Sequence, residues 1–144
     1  MDAGKGGKPG KAILLKSGKA VPPTNAPKAV VKAIRAANKI RRKPYRYGGG
    51  HASFKDSAYD CSGTVSVALN GAGVLDSPLN SGSLMRWGKK GKGDWITVYA
   101  HGGHTYAVIA GLRWDTSGPG ERGPRWRPEK RSAKGFAKRH WPGL

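Results

Sequence analysis

Apolar residues along the chain fall into short runs whose spacing changes partway through. Val30, Val31, Ile34, Ala37 and Ile40 recur at helical spacing, with lysines and arginines between them. They predict an amphipathic helix over 27–42, with Thr24 and Asn25 as capping candidates, Pro27 in its first turn and Pro44 beyond its end. Arg41, Arg42 and Lys43 then complement the helix dipole. A second helix is expected from Cys61 to about Leu69, capped by Asp60 and ended by Gly71 and Gly73. Its inner stripe is Val65, Ala68, Leu69 and Ala72, and residues 82–88 read as one further short turn. Beyond these the pattern becomes that of strands. Residues 95–99 and 104–110 are rich in β-branched and aromatic side chains, and 112–116 follows Gly111 at once. The last two runs predict a hairpin turning at Gly111, and 135–140 one more strand. Helices first and strands afterwards indicate an α+β fold.

A chain of 144 residues is about one domain long. Such a domain buries roughly two-thirds of its unfolded surface, enough to stand without staples. Cys61 is the only cysteine, so no internal disulfide is available. No stretch reaches the roughly 18 apolar residues that a membrane span requires. Residues 1–23, thirteen of them Gly, Lys or Pro, read as a basic flexible tail. Residues 24–144 read as a single domain with a motif-bearing core at 44–118 and a basic extension at 119–144. The basic start has no apolar run behind it, so it is not read as a secretory signal. Work outside a cell would then need another export route.

The net charge of +19 is unevenly spread. Residues 1–44 hold twelve Lys/Arg against Asp2, 119–144 hold eight against two glutamates, and 45–118 hold seven against five acids. Flanks of this kind attract polyanions, whether wall polymer, nucleic acid or anionic membrane; the plainer alternative is a solvated surface.

The middle of the chain carries the candidate chemistry. A cysteine acts as nucleophile through its thiolate, which a helix N-terminus and a neighbouring imidazolium both favour. With Asp60 as cap, Cys61 is the first helical residue, although the Asp60 carboxylate opposes a second negative charge nearby. A histidine partner is therefore required. Of His51, His101, His104 and His140, His104 leads on position, because it stands at the head of a strand; His51 and His101 lie in glycine-rich loops. A third polar group would orient the imidazole. With a two-residue turn at 110–111, Asp115 pairs with Tyr106 and lies diagonal to His104 on one face. A three-residue turn would put it on the other face. His101 and His104 lack the carboxylates or cysteines that would complete a metal site, so neither metal nor cofactor is expected.

These motifs, in order, resemble the NlpC-type family of cell-wall cysteine peptidases. The matching stretches are Pro44-Tyr45-Arg46-Tyr47-Gly48-Gly49, Tyr59-Asp60-Cys61-Ser62-Gly63, Gly93-Asp94-Trp95-Ile96-Thr97-Val98 and Gly103-His104, about half the chain. The resemblance implies a papain-like α+β fold, with an antiparallel sheet packed against the helix that carries the cysteine. It also implies a wall or extracellular setting and hydrolysis of amide bonds in peptidoglycan stem peptides. The family's nucleophile falls on Cys61 and its base on His104. Its third polar residue, most often a histidine, falls on or beside Asp115. The family's tyrosine falls on Tyr45, a donor to the oxyanion, and Ser62 joins the oxyanion and substrate-binding set.

Two other readings stay open on the sequence. One is an amidase or acyltransferase on the same scaffold. The other is a basic binding module for nucleic acid, against which stand the absence of a recognised nucleic-acid fold and a charge that avoids the motif-bearing middle. The flanks are expected to hold the protein on anionic wall polymers, and a monomer is expected.

Overall fold

In the computed structural model, which describes residues 8–144, α1 (Lys28–Ile40) packs on α2 (Cys61–Gly71), which in turn lies against a sheet. Val30, Ala33, Ile34, Ala37 and Ile40 form the buried stripe of α1, and its lysines and arginines face out. The cap is Pro27 rather than Thr24 or Asn25: its carbonyl accepts the N–H groups of Val30 and Val31, with no side chain involved. Arg41 already lies outside the helix as its C-cap.

Asp60 caps α2 as its short side chain favours, its Oδ1 accepting the Gly63 N–H at 2.8 Å. The predicted inner stripe proves too narrow, since every residue from Ser62 to Leu69 is buried. This helix is enclosed by sheet and helix, so it has no solvent face. Small residues permit the enclosure: a Cβ on Gly71 would meet Ala36 Cβ and the Lys32 carbonyl of α1. α3 (Ser81–Leu84) is the short turn expected near 82–88, capped by Asn80.

The sheet is antiparallel and six-stranded, in the order β3 (Lys89–Lys90), β8 (Ala137–His140), β4 (Ile96–His101), β5 (His104–Ile109), β6 (Leu112–Asp115) and β7 (Arg125–Arg127). Only β3 and β7 went unpredicted, being short and dominated by charged residues. Ile109 pairs with Leu112, so β5 and β6 are joined by Ala110 and Gly111 alone. Both have positive φ, 49° and 79°, as the tight hairpin turn that matches strand twist demands. This two-residue turn sets the register Ala107↔Trp114 and makes the face assignment of Asp115 correct.

One face of the sheet, with Val98, Ala107, Ile109 and Trp114, packs on the helices, and the Trp114 Nε1–H donates to the Thr64 carbonyl of α2 at 2.8 Å. The other face carries Tyr99 stacked on Tyr106, their ring centroids 4.8 Å apart, and is crossed by Arg131 and Phe136.

The expected tail over 1–23 is corrected for residues 8–23; residues 1–7 lie outside the described part. A two-stranded ladder, β1 (Ile13–Leu14) with β2 (Ala20–Val21), forms there. Composition concealed it because its anchors are single bonds to distant partners. Asn38 Oδ1 accepts the Ala20 N–H and Asn38 Nδ2 donates to the Ala20 carbonyl, both at 2.9 Å, and the Ala12 N–H reaches the Ala110 carbonyl at 2.8 Å.

Candidate active site

Three segments converge on the N-terminus of α2. The first is the glycine-rich loop before it, which crosses the helix end so closely that a Cβ on Gly63 would collide with the Gly49 carbonyl, and one on Gly49 with the Ala58 carbonyl. These contacts explain why the sequence has glycine at both places. Asp56 staples the loop, accepting the Gly50 N–H at 3.0 Å and pairing with Arg46 at 2.8 Å; the backbone bond and then Arg46 hold its carboxyl well below the usual carboxylate range. The second segment is the β4–β5 turn with His104 just beyond it, and the third is the start of α3. Between them runs an open cleft of about 620 Å³, whose walls include Tyr45, Tyr47, His51, Cys61, Ser81 and Gly103.

Cys61 is partly exposed on this cleft, as the first residue of α2. It lies beside the His104 ring, close enough to act on the imidazole electrostatically, so the fold brings together the two residues that the sequence singled out. His104 Nε2 lies 2.9 Å from Asp115 Oδ1, which leaves Nδ1 as the ring nitrogen for the sulfur. Burial works against the imidazolium, but the hydrogen bond to Asp115 and the neighbouring Cys61 outweigh it and raise the His104 pKa to about 9.

Asp115 is almost wholly buried, at 1% exposure, so its charge must be matched locally. Oδ1 also accepts the Ser117 N–H at 3.0 Å, while Oδ2 lies 2.9 Å from Arg131 and 3.2 Å from Arg113. Burial pushes its carboxyl pKa up; the bonds from His104, Ser117 and Arg131 overcome this and leave it lowered. The carboxylate is thus fixed at both oxygens, and the imidazole plane is fixed through it.

Tyr45 lines the cleft with the Arg122 guanidinium 3.9 Å from its ring centroid. Burial first, and then the Cys61 charge, raise its pKa, against the Arg122 charge over its ring. The hydroxyl therefore keeps its proton and is free to donate it. Ser62 sits differently from a free donor. It is 3% exposed, its hydroxyl donates to Asp60 Oδ1 at 3.2 Å, and it lies 2.9 Å from His51 Nε2. His51 itself is not loose surface: its Nε2 is 2.9 Å from Asp60 Oδ1, and its ring lines the cleft. His101 Nδ1 accepts the Gly103 N–H within the β4–β5 turn; the residue is the cross-strand partner of His104, and both rings lie beside Phe136.

Sequence reasoning missed Arg113, Arg122 and Arg131. Arg113 is legible in hindsight, being two residues from Asp115 and hence on the same strand face. Arg122 and Arg131 come from the basic extension, where nothing distinguishes them from the other cations.

No family model and no curated protein sequence matches the chain. Solved structures do. The peptidoglycan hydrolase RipB from Mycobacterium tuberculosis superposes with a TM-score of 0.59 and 26% identity, over 83% of this chain and 68% of that one. The chain has the NlpC-type, papain-like fold. A hypothetical invasion protein of Mycobacterium tuberculosis is similar at a TM-score of 0.56 and 22% identity, over 77% of this chain and 61% of that one. A mutated form of the resuscitation-promoting-factor-interacting protein RipA gives 0.55 and 22%, over 81% and 66%. The chain thus spans less than two-thirds of the length of either of these last two chains.

Proposed function

We propose that this protein is a cysteine endopeptidase that cleaves amide bonds in peptidoglycan stem peptides. The carrying observation is the placement of Cys61, at a helix N-terminus on an open cleft, beside His104, whose Nε2 is held by Asp115. The fold shared with RipB, a peptidoglycan hydrolase, supports the choice of substrate, and with it a cell-wall or extracellular setting.

The chemistry follows from these positions. The imidazolium favoured at His104 matches a thiolate on Cys61, and the thiolate attacks the scissile carbonyl carbon. The developing oxyanion is met by the Cys61 N–H at the positive end of α2 and by the Tyr45 hydroxyl, over whose ring Arg122 lies. His104 gives its Nδ1 proton to the departing amine as the C–N bond breaks and a thioester remains. It then takes a proton from water, whose oxygen attacks the thioester; the acid leaves and the thiolate returns. Asp115 keeps the ring in place throughout and stays ionised.

The test is release of soluble muropeptides from purified sacculi, identified by mass. Wild-type protein releases them and Cys61→Ala releases none. Equal release by that variant overturns the assignment, and products cut outside the peptide stems overturn the substrate.

A further inference from the structure

The folded chain gathers onto one face the positive charge that the sequence distributes between its two ends. The Ser17 carbonyl in the β1–β2 turn accepts Arg41 Nε at 3.1 Å and an Arg42 guanidinium N–H at 3.0 Å. Arg125, from the other end of the chain, reaches the Lys43 carbonyl at 2.7 Å. These contacts bring Lys16, Arg41, Arg42 and Arg125 around one groove of about 480 Å³. An adjoining groove of about 400 Å³ is lined by Lys19, Arg35, Lys39 and again Arg41, so the two meet at that residue. Among the described residues, none of Lys16, Lys19, Arg35, Lys39, Arg41 and Arg42 is ion-paired with a carboxylate. Among the described residues, Glu121 is the single acid on either groove. Like charges held together without counter-ions repel one another, and a bound polyanion relieves that repulsion while releasing its own counter-ions.

We propose that this face binds a phosphodiester polymer of the cell wall, a chain of polyol phosphates, and so holds the enzyme beside its substrate. The choice of a wall polymer rests on the hydrolase reading above. Two further observations favour it. Strands of nucleic acid are usually gripped by stacking bases on exposed rings. Here Trp126, the one aromatic residue of these grooves, is 6% exposed and its Nε1–H is committed to Asn38 Oδ1 at 2.8 Å. The loop that leads into β7 and Arg125 supplies Arg122, whose guanidinium lies on the cleft residue Tyr45. The cationic track therefore ends at the mouth of the cleft, where a tethered wall fragment must enter.

The experiment measures binding of the whole chain to immobilised poly(glycerol phosphate) across a salt series, with double-stranded and single-stranded DNA of equal charge as competitors. The test variant is Lys16→Gln/Lys19→Gln/Arg35→Gln/Lys39→Gln, whose side chains make no hydrogen bond among the described residues. The control, Lys89→Gln/Lys90→Gln/Lys134→Gln/Lys138→Gln, removes the same charge from the segments at the opposite edge of the sheet. At low salt the test variant loses at least tenfold in affinity, and its log–log salt slope falls by about two or more. The control changes by less than threefold. Equal losses in both variants, or no measurable binding to the polymer, overturn the proposal, and stronger competition by either DNA overturns the choice of partner. Binding is measured in the Cys61→Ala background, so the result stands apart from whether the cleft hydrolyses stem peptides.

Discussion

Asp115 carries the clearest expectations at the scale of single residues, because its two oxygens have different work. Oδ1 holds the imidazole, and Oδ2 is held by two guanidiniums. Asp115→Asn keeps the shape but loses the charge that favours the imidazolium, and turnover should fall on the order of 10²–10⁴-fold, read as kcat on a soluble stem peptide. Arg131→Met acts one step further back. Asp115 has a lowered pKa, so its contribution to stability is present above the ordinary carboxylate range and is lost as pH falls through the lowered value. Without Arg131 that loss begins at higher pH, and an acid-unfolding curve should show the midpoint moving upward. His104 has the opposite sign. With its pKa raised to about 9, its contribution is complete below an ordinary histidine pKa near 6.5 and disappears as pH rises through about 9. The amine-protonating form disappears over the same interval, so kcat should decline there. A kcat flat from pH 7 to 10 on a stem peptide would contradict that assignment.

At the scale of elements, the helix end and the strand hairpin were legible because local chemistry decides them. Asp60 caps because a short carboxylate reaches Gly63 N–H, and the β5–β6 turn is short because Gly111 accepts a positive φ. The roles of Gly49 and Gly63 were not legible, since what approaches them is set by the fold. Gly63→Ala should cost about 1–3 kcal/mol in chemical denaturation, because the new methyl meets a backbone carbonyl that cannot move aside without displacing the whole loop. Trp114→Phe tests the bridge from sheet to helix: it removes the indole's bond to the Thr64 carbonyl and leaves space in the buried core, and should cost about 1–3 kcal/mol. The β1–β2 ladder and strand β7 were hidden for a common reason. Each is too short for a periodicity to develop, and each is held by partners far away in sequence, Asn38 and Ala110 for the first and Trp114 for the second.

Across the whole molecule, the α+β architecture with sheet against nucleophile helix follows from the order of patterns, and solved structures share it. What the sequence could not disclose is how the ends of the chain return to its middle. Arg122 and Arg131 belong to a segment that reads as undifferentiated positive charge, yet one reaches Tyr45 and the other Asp115. Charge patterning reports amounts per segment, and only the tertiary path assigns them to places.

The connection between β5 and β6 has a consequence for anyone altering this protein. Since only Ala110 and Gly111 separate the two ladders, spacing there governs which side of β6 looks toward the imidazole. Adding a single amino acid at that point should swing the orienting carboxylate away while leaving sulfur and ring nitrogen together. The product would be an enzyme still labelled by thiol reagents but slow to turn over, in which nucleophile activation and imidazole orientation could be studied apart.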